Sequence, residues 1–200
     1  CIGPFSLAGR LYDMSEMIMA LYMEPDSIRL LLEKCTEFIT NYLRAMKETG
    51  VNGVIIAEPA AGLVSNEDCS SFSSTYISRI VEELQDDNFM IVLHNCGNTG
   101  HCTAAMVETK AAGLHFGNKI DMVQVLLECP EDILVMGNID PVGIFKMATP
   151  EKVKKETLEL LQKTGKWKNF IVSSGCDVPP EVPMENIDAF YQALNEYNRQ

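Results

Sequence analysis

Two hundred residues with 46% hydrophobic content suit one domain with a substantial core, and no apolar run approaches the ~20 residues that span a bilayer. A formal net charge of −12 argues against a nucleic-acid or anionic-membrane surface. The seven cysteines are odd in number and scattered, unlike a disulfide framework, and suit a reducing cytoplasm.

The chain opens on Cys1 rather than methionine, and Cys1-Ile2-Gly3-Pro4-Phe5 reads as a strand end broken at Gly3-Pro4. Arg10 and Asp13 interrupt the first apolar segment, so no signal peptide is expected, and the chain reads as a piece of something longer. Leu7 to Met23 predicts one helical stretch whose methionines fill core. Pro25 suits a first helical position, and Ile28, Leu31, Leu32, Cys35, Phe38, Ile39, Tyr42, Leu43 and Met46 hold a helical period ending near Gly50. Val51 to Ala57 predicts a strand buried on both faces, ending in Glu58-Pro59. A polar loop containing Ser65-Asn66-Glu67-Asp68 leads into a helix through Leu84, and Phe89 to Leu93 is the next strand.

Residues 101–112 predict a short helix, 113–116 a weak strand, 120–128 a helix and 133–138 another strand. Thr149-Pro150-Glu151 has the form of an N-cap with Pro at the first helical position, opening a helix to about Lys163. Phe170 to Ser174 is the last strand. Pro183 starts a closing helix with Met184, Ile187, Phe190, Tyr191 and Leu194 on one face. The order alternates strand and helix, with mostly continuous apolar strands, which predicts roughly six parallel strands covered by helices. No linker or low-complexity segment divides the chain.

The chemistry concentrates in Ile91-Val92-Leu93-His94-Asn95-Cys96-Gly97-Asn98, an apolar run ending in two metal-capable side chains. Strand residues two apart point to the same face, so His94 and Cys96 aim together. Phe170-Ile171-Val172-Ser173-Ser174-Gly175-Cys176-Asp177 repeats the pattern with one thiol. One imidazole and two thiolates make a three-ligand zinc set with a fourth position open; the plain alternative is a buried imidazole and inert thiols. Glu58, His94, Cys96, Asn98, Asn138, Asp140, Ser174 and Cys176 all follow strands. That is the catalytic face of a (β/α) barrel, or the crevice of an open doubly wound sheet.

At these residues the sequence resembles the uroporphyrinogen decarboxylase superfamily, in its cobalamin-dependent methyltransferase branch. The matching pieces are Gly3-Pro4-Phe5-Ser6-Leu7-Ala8-Gly9, Ile56-Ala57-Glu58-Pro59, His94-Asn95-Cys96-Gly97-Asn98-Thr99, Gly137-Asn138-Ile139-Asp140-Pro141, Thr149-Pro150-Glu151 and Ser174-Gly175-Cys176-Asp177-Val178-Pro179-Pro180. The last runs on through Pro183-Met184-Glu185-Asn186-Ile187. The resemblance implies a (β/α)8 TIM-type barrel, here an incomplete one formed by residues 1–200 as the C-terminal portion, with the N-terminal portion absent. It implies zinc at the strand mouths on His94, Cys96 and Cys176, a small coenzyme M-like thiol as acceptor, and a methylated corrinoid (methylcobalamin) on a corrinoid protein as donor. The thiol, held as thiolate, would attack the corrinoid methyl group and leave reduced cobalt.

Glu58 is then a catalytic candidate: a fourth ligand, a supporting partner of the metal or a base, against a plain helix-terminus or salt-bridge carboxylate. Asn98, Asn138, Asp140 and Ser174 are candidate substrate-binding residues, with Asn138 and Asp140 shaping the pocket. His101 and Cys102 fall into the next helix and are left out of the metal set, and Asp121, Cys129 and His115 are read as structural. Two alternatives remain: a metal-free decarboxylase acting on a tetrapyrrole, and a non-catalytic fragment that binds zinc or docks a corrinoid protein. Exposed parallel edges would favour a homo-oligomer.

Overall fold

The computed structural model describes residues 1–199. Five strands form one sheet in the order β1 (Gly53–Ala57), β2 (Met90–Asn95), β3 (Gly113–Phe116), β4 (Leu134–Ile139), β5 (Phe170–Ser174). The β1–β2 and β4–β5 pairs are parallel, in register Ala57↔His94 and Ile139↔Ser174 at their ends. Strands neighbouring in sequence order, with no reversal, are the winding of a partial barrel; a doubly wound sheet would switch direction. A sixth strand survives only as a bridge: Ile2 pairs in parallel with Ala57, and Gly3 N–H donates to the Ala57 carbonyl at 2.8 Å.

The chain divides into two compact units, Cys1–Leu114 and His115 onward. The sequence shows no boundary because the division falls inside β3, a strand, where no linker composition is needed.

In the first unit, α1 (Pro4–Tyr12) and α2 (Met14–Met23) replace the single helical stretch expected. Asp13 breaks it: its φ of 85° leaves the helical region, and its carboxylate caps α2 by accepting from Ser15 N–H at 2.9 Å. Met17 is buried, but Met19 and Met23 are exposed, so the methionines are not all core filler. Along α3 (Pro25–Glu48) Ile28, Leu32, Cys35, Ile39 and Leu43 are the buried stripe, while Phe38 and Tyr42 lie outside it. The helix meets α5 (Thr75–Leu84) through Arg79–Glu33 at 2.7 Å, an exposed pair worth little beside the apolar stripe. The segment between is not a plain loop. Ser65 caps α4 (Asn66–Cys69) by accepting from Asp68 N–H at 3.1 Å, and a π-helical turn, Ser70–Ser74, joins it to α5.

β1 is buried on one face only. Val54 and Ile56 are enclosed, whereas Ile55, pointing the other way, is 54% exposed. α6 (Thr103–Glu108) starts two residues after the expected 101, because Asn98 turns the chain through residue 102, and it ends at Glu108 instead of 112.

In the second unit α7 (Met122–Glu128) and α8 (Pro150–Thr164) fall where expected, and a π-helical turn, Pro141–Lys146, follows β4. Thr149 occupies the N-cap position of α8. In α9 (Met184–Tyr197) the buried face is Asn186, Ala189, Phe190 and Ala193, with Met184 and Tyr191 exposed. Phe190 packs 5.4 Å from Phe145, so the small alanines set the helix's inner line and the large side chains flank it.

Candidate metal centre

His94 closes β2. Its carbonyl accepts from Glu58 N–H at 2.7 Å, which joins the end of this strand to the chain leaving β1. The next residue, Asn95, makes the bend: its side-chain oxygen accepts from Gly97 N–H and Asn98 N–H, each at 3.0 Å. An Asx turn of this kind takes the chain off the strand and sets the direction of Cys96. His94 is buried, and the Cys96 and Cys176 thiols are half-buried.

The turn is packed from behind by backbone. A Cβ on Gly62 would lie 2.2 Å from the Gly97 carbonyl carbon and 2.5 Å from Asn98 N, so only glycine lets these chains approach. The Cys176 loop has the same need: a Cβ on Gly175 would meet Asn118 N at 2.6 Å. That loop is drawn in by Ser174, whose hydroxyl donates to the Cys176 carbonyl at 2.7 Å, and by Gly175 N–H on the Ile139 carbonyl at 2.8 Å.

The ligand-capable atoms of His94, Cys96 and Cys176 all lie within 4.8 Å of one another, the one such group found among the described residues. A tetrahedral zinc held at ~2.0–2.3 Å from each donor needs donors about this close, and one imidazole with two thiolates is a donor set suited to it. The residues present fit that metal.

Glu58 is fully enclosed, and its carboxylate is occupied by other donors. It accepts from Phe5 N–H at 2.9 Å, Ser6 N–H at 2.8 Å and Ser6 Oγ–H at 2.7 Å. The two N–H groups are the first free donors of α1, which Gly3 at its N-cap cannot satisfy by a side chain. Burial pushes the Glu58 carboxyl up to about 7, and the three hydrogen bonds to Ser6 and Phe5 only partly offset this. Sequence reasoning had Glu58 near the chemistry but not Ser6, whose partner lies 52 residues away.

The four other expected residues face mostly into the protein's own backbone. Asn98 is fully buried; its oxygen accepts from Gly100 N–H at 2.8 Å and Cys102 N–H at 3.1 Å, and its amide donates to Thr103 Oγ1 at 3.3 Å. Asn138 donates to the Gly117 and Ile120 carbonyls at 3.0 and 2.8 Å, tying β4 to the chain after β3. Asp140 accepts from Val142 and Gly143 N–H, capping the π-helical turn. Ser174 serves the Cys176 loop. His101 bonds the Val64 carbonyl at 3.0 Å, and Cys102 lies buried beside the Ala61 carbonyl. His115, read from the sequence as structural only, has its Nε2 2.7 Å from the Ser174 carbonyl oxygen, beside the Cys176 loop. A polar residue between Leu114 and Phe116 on a short strand was the only signal for it.

The chain is 28% identical over 199 residues to the methylcobamide:CoM methyltransferase MtbA of Methanosarcina acetivorans, covering 98% of this chain and 57% of that protein. It is 27% identical over 178 residues to the uroporphyrinogen decarboxylase of Psychromonas ingrahamii, covering 88% of this chain and 50% of the relative. The chain thus spans little more than half the length of these curated relatives. A solved methyltransferase from Methanosarcina mazei superposes with a TM-score of 0.88 at 24% identity, over 98% of this chain and 57% of that one, and so shares the fold. The family model for uroporphyrinogen decarboxylase matches residues 1–197, and the chain belongs to that family.

Proposed function

We propose that this chain is the C-terminal portion of a zinc-dependent methyltransferase that moves a methyl group from a methylated corrinoid to a small thiol. The observation that carries the reading is the donor set, two thiols and an imidazole grouped within 4.8 Å. The likeness to a methylcobamide:CoM methyltransferase over 98% of the chain supports the same branch of the family. Tetrapyrrole decarboxylation, the activity of the other relatives, has no use for soft sulfur donors.

Zinc bound here would supply a low pKa to a coordinated thiol, making it thiolate at neutral pH. The rest falls to the chain. His94 supplies a neutral nitrogen donor, and Cys96 and Cys176 supply two anionic sulfurs, leaving a fourth direction for the acceptor. Ser174 and the Asn95 turn hold the two thiol-bearing loops in place. Glu58 anchors α1; to ligate a metal it would have to release three donors, so we assign it a supporting role. A corrinoid protein is the partner that would deliver the methyl group, with the cytoplasm as setting.

Elemental analysis of purified protein tests the centre directly. The wild type is expected to hold one equivalent of zinc, and Cys176→Ser and Cys96→Ser to lose most of it. Methyl transfer from methylcobalamin to coenzyme M, followed spectroscopically in the family-length protein, should disappear with Cys96→Ser. Methyl transfer undiminished after zinc is stripped would reject the zinc mechanism, and a protein with neither bound zinc nor methyl transfer would favour the decarboxylase.

A further inference from the structure

We infer that His115 is a positioning residue for Cys176, holding the loop that carries this thiol in the direction a metal requires; the inference rests on the metal-centre reading above. His115 sits on β3 between Leu114 and Phe116, which are fully buried on the opposite face of the strand. Its Nε2 lies 2.7 Å from the Ser174 carbonyl oxygen and 3.1 Å from Ser173 Oγ. A carbonyl oxygen only accepts, so Nε2 carries the proton and donates to it. Ser173 Oγ donates to the same carbonyl at 3.0 Å.

The consequence reaches the thiol within two residues. The Ser174 carbonyl is fixed by His115, the Ser174 hydroxyl holds the Cys176 carbonyl at 2.7 Å, and Gly175 N–H holds the Ile139 carbonyl at 2.8 Å. The Ser174–Gly175 peptide is therefore held at both its carbonyl and its N–H, and the Cys176 carbonyl is held as well. β5 ends at Ser174, so without His115 the carbonyl of its last residue loses its imidazole donor and the loop is held from one side fewer. A positioning partner of a metal ligand typically costs 10–100-fold in metal affinity when removed.

The experiment uses the 200-residue chain loaded with cobalt(II), whose absorption reports thiolate ligands, and measures affinity by chelator competition. The variants are His115→Ala, His115→Gln, Cys176→Ser and the His115→Ala/Cys176→Ser double. The expected results are a 10–100-fold weaker site in His115→Ala with part of the thiolate-to-cobalt band lost. His115→Gln, whose amide can still donate, should recover much of both. In the Cys176→Ser background His115→Ala should cost nothing further, because the residue acts through Cys176. An equal loss in both backgrounds, as general destabilisation would give, overturns the inference, as does a His115→Ala spectrum like the wild type. A wild type with no thiolate band fails the metal-centre reading itself, a result told apart by needing no variant.

Discussion

At the scale of single residues the buried carboxylate of Glu58 is the group with the clearest consequence for stability. Its folded-state pKa stands near 7 against an ordinary 4.5, so the folded protein keeps a proton that the unfolded chain releases. The stabilisation is complete below pH 4.5, is drawn down as pH rises towards 7, and is constant above that. A shift of this size corresponds to about 3 kcal/mol at most. Replacing Glu58 by Gln removes the titration. The melting-temperature advantage of the wild type over Glu58→Gln should therefore shrink as pH is raised from about 5 to about 8. Parallel melting curves across that range would show that Glu58 does not titrate there. His115 behaves oppositely: burial lowers its pKa, with the Ser174 hydrogen bond and the Asp177 charge working against that, which favours a neutral imidazole in place.

At the scale of elements, the metal-bearing turns depend on close backbone approach, and the helices on buried stripes. Gly62→Ala forces its Cβ against Gly97 and Asn98, so the turn after β2 must move. Overpacking of this kind costs ~1–3 kcal/mol, and the displaced turn should also weaken zinc binding. Leu32→Ala in α3 is the matching control. The side chain is fully buried in the first unit's core, so truncation should cost ~2–5 kcal/mol in denaturant unfolding while zinc stoichiometry stays unchanged. If both variants lose metal in proportion to stability, the turn has no special part in the site.

At the scale of the whole molecule the sheet leaves apolar surface uncovered. β5 lies at the end of the strand order and pairs with β4 alone among the described residues; Ile171 on it is 42% exposed, and Ile55 on β1 more so. A parallel edge with exposed apolar side chains invites pairing with another chain. The 200-residue chain is expected to associate with rising concentration in light scattering, and Ile171→Lys to reduce that association. A monomer at high concentration, unaltered by the substitution, would mean the edge is protected. Among the described residues no helix is long and apolar enough to cross a membrane.

The alternation of strands and helices, the parallel sheet, and the placing of His94, Cys96 and Cys176 just at or past strand ends are legible in the residues alone. Those are local properties: an apolar run read with a period of two or 3.6, and donors spaced two apart at its end. The break at Asp13 and the exposed faces of Ile55, Met184 and Tyr191 were not legible, because composition does not say which side of an amphipathic element is covered. Nor were the roles of Glu58, Asn98 and His115. Each is defined by the hydrogen-bond partners a buried polar group must find, and for Glu58 and His115 these lie 52 to 59 residues away. Asn98 finds its partners within its own loop and at the start of α6, and only the folded turn shows that its side chain is spent there. Burial makes such partners obligatory, and only the tertiary structure chooses them.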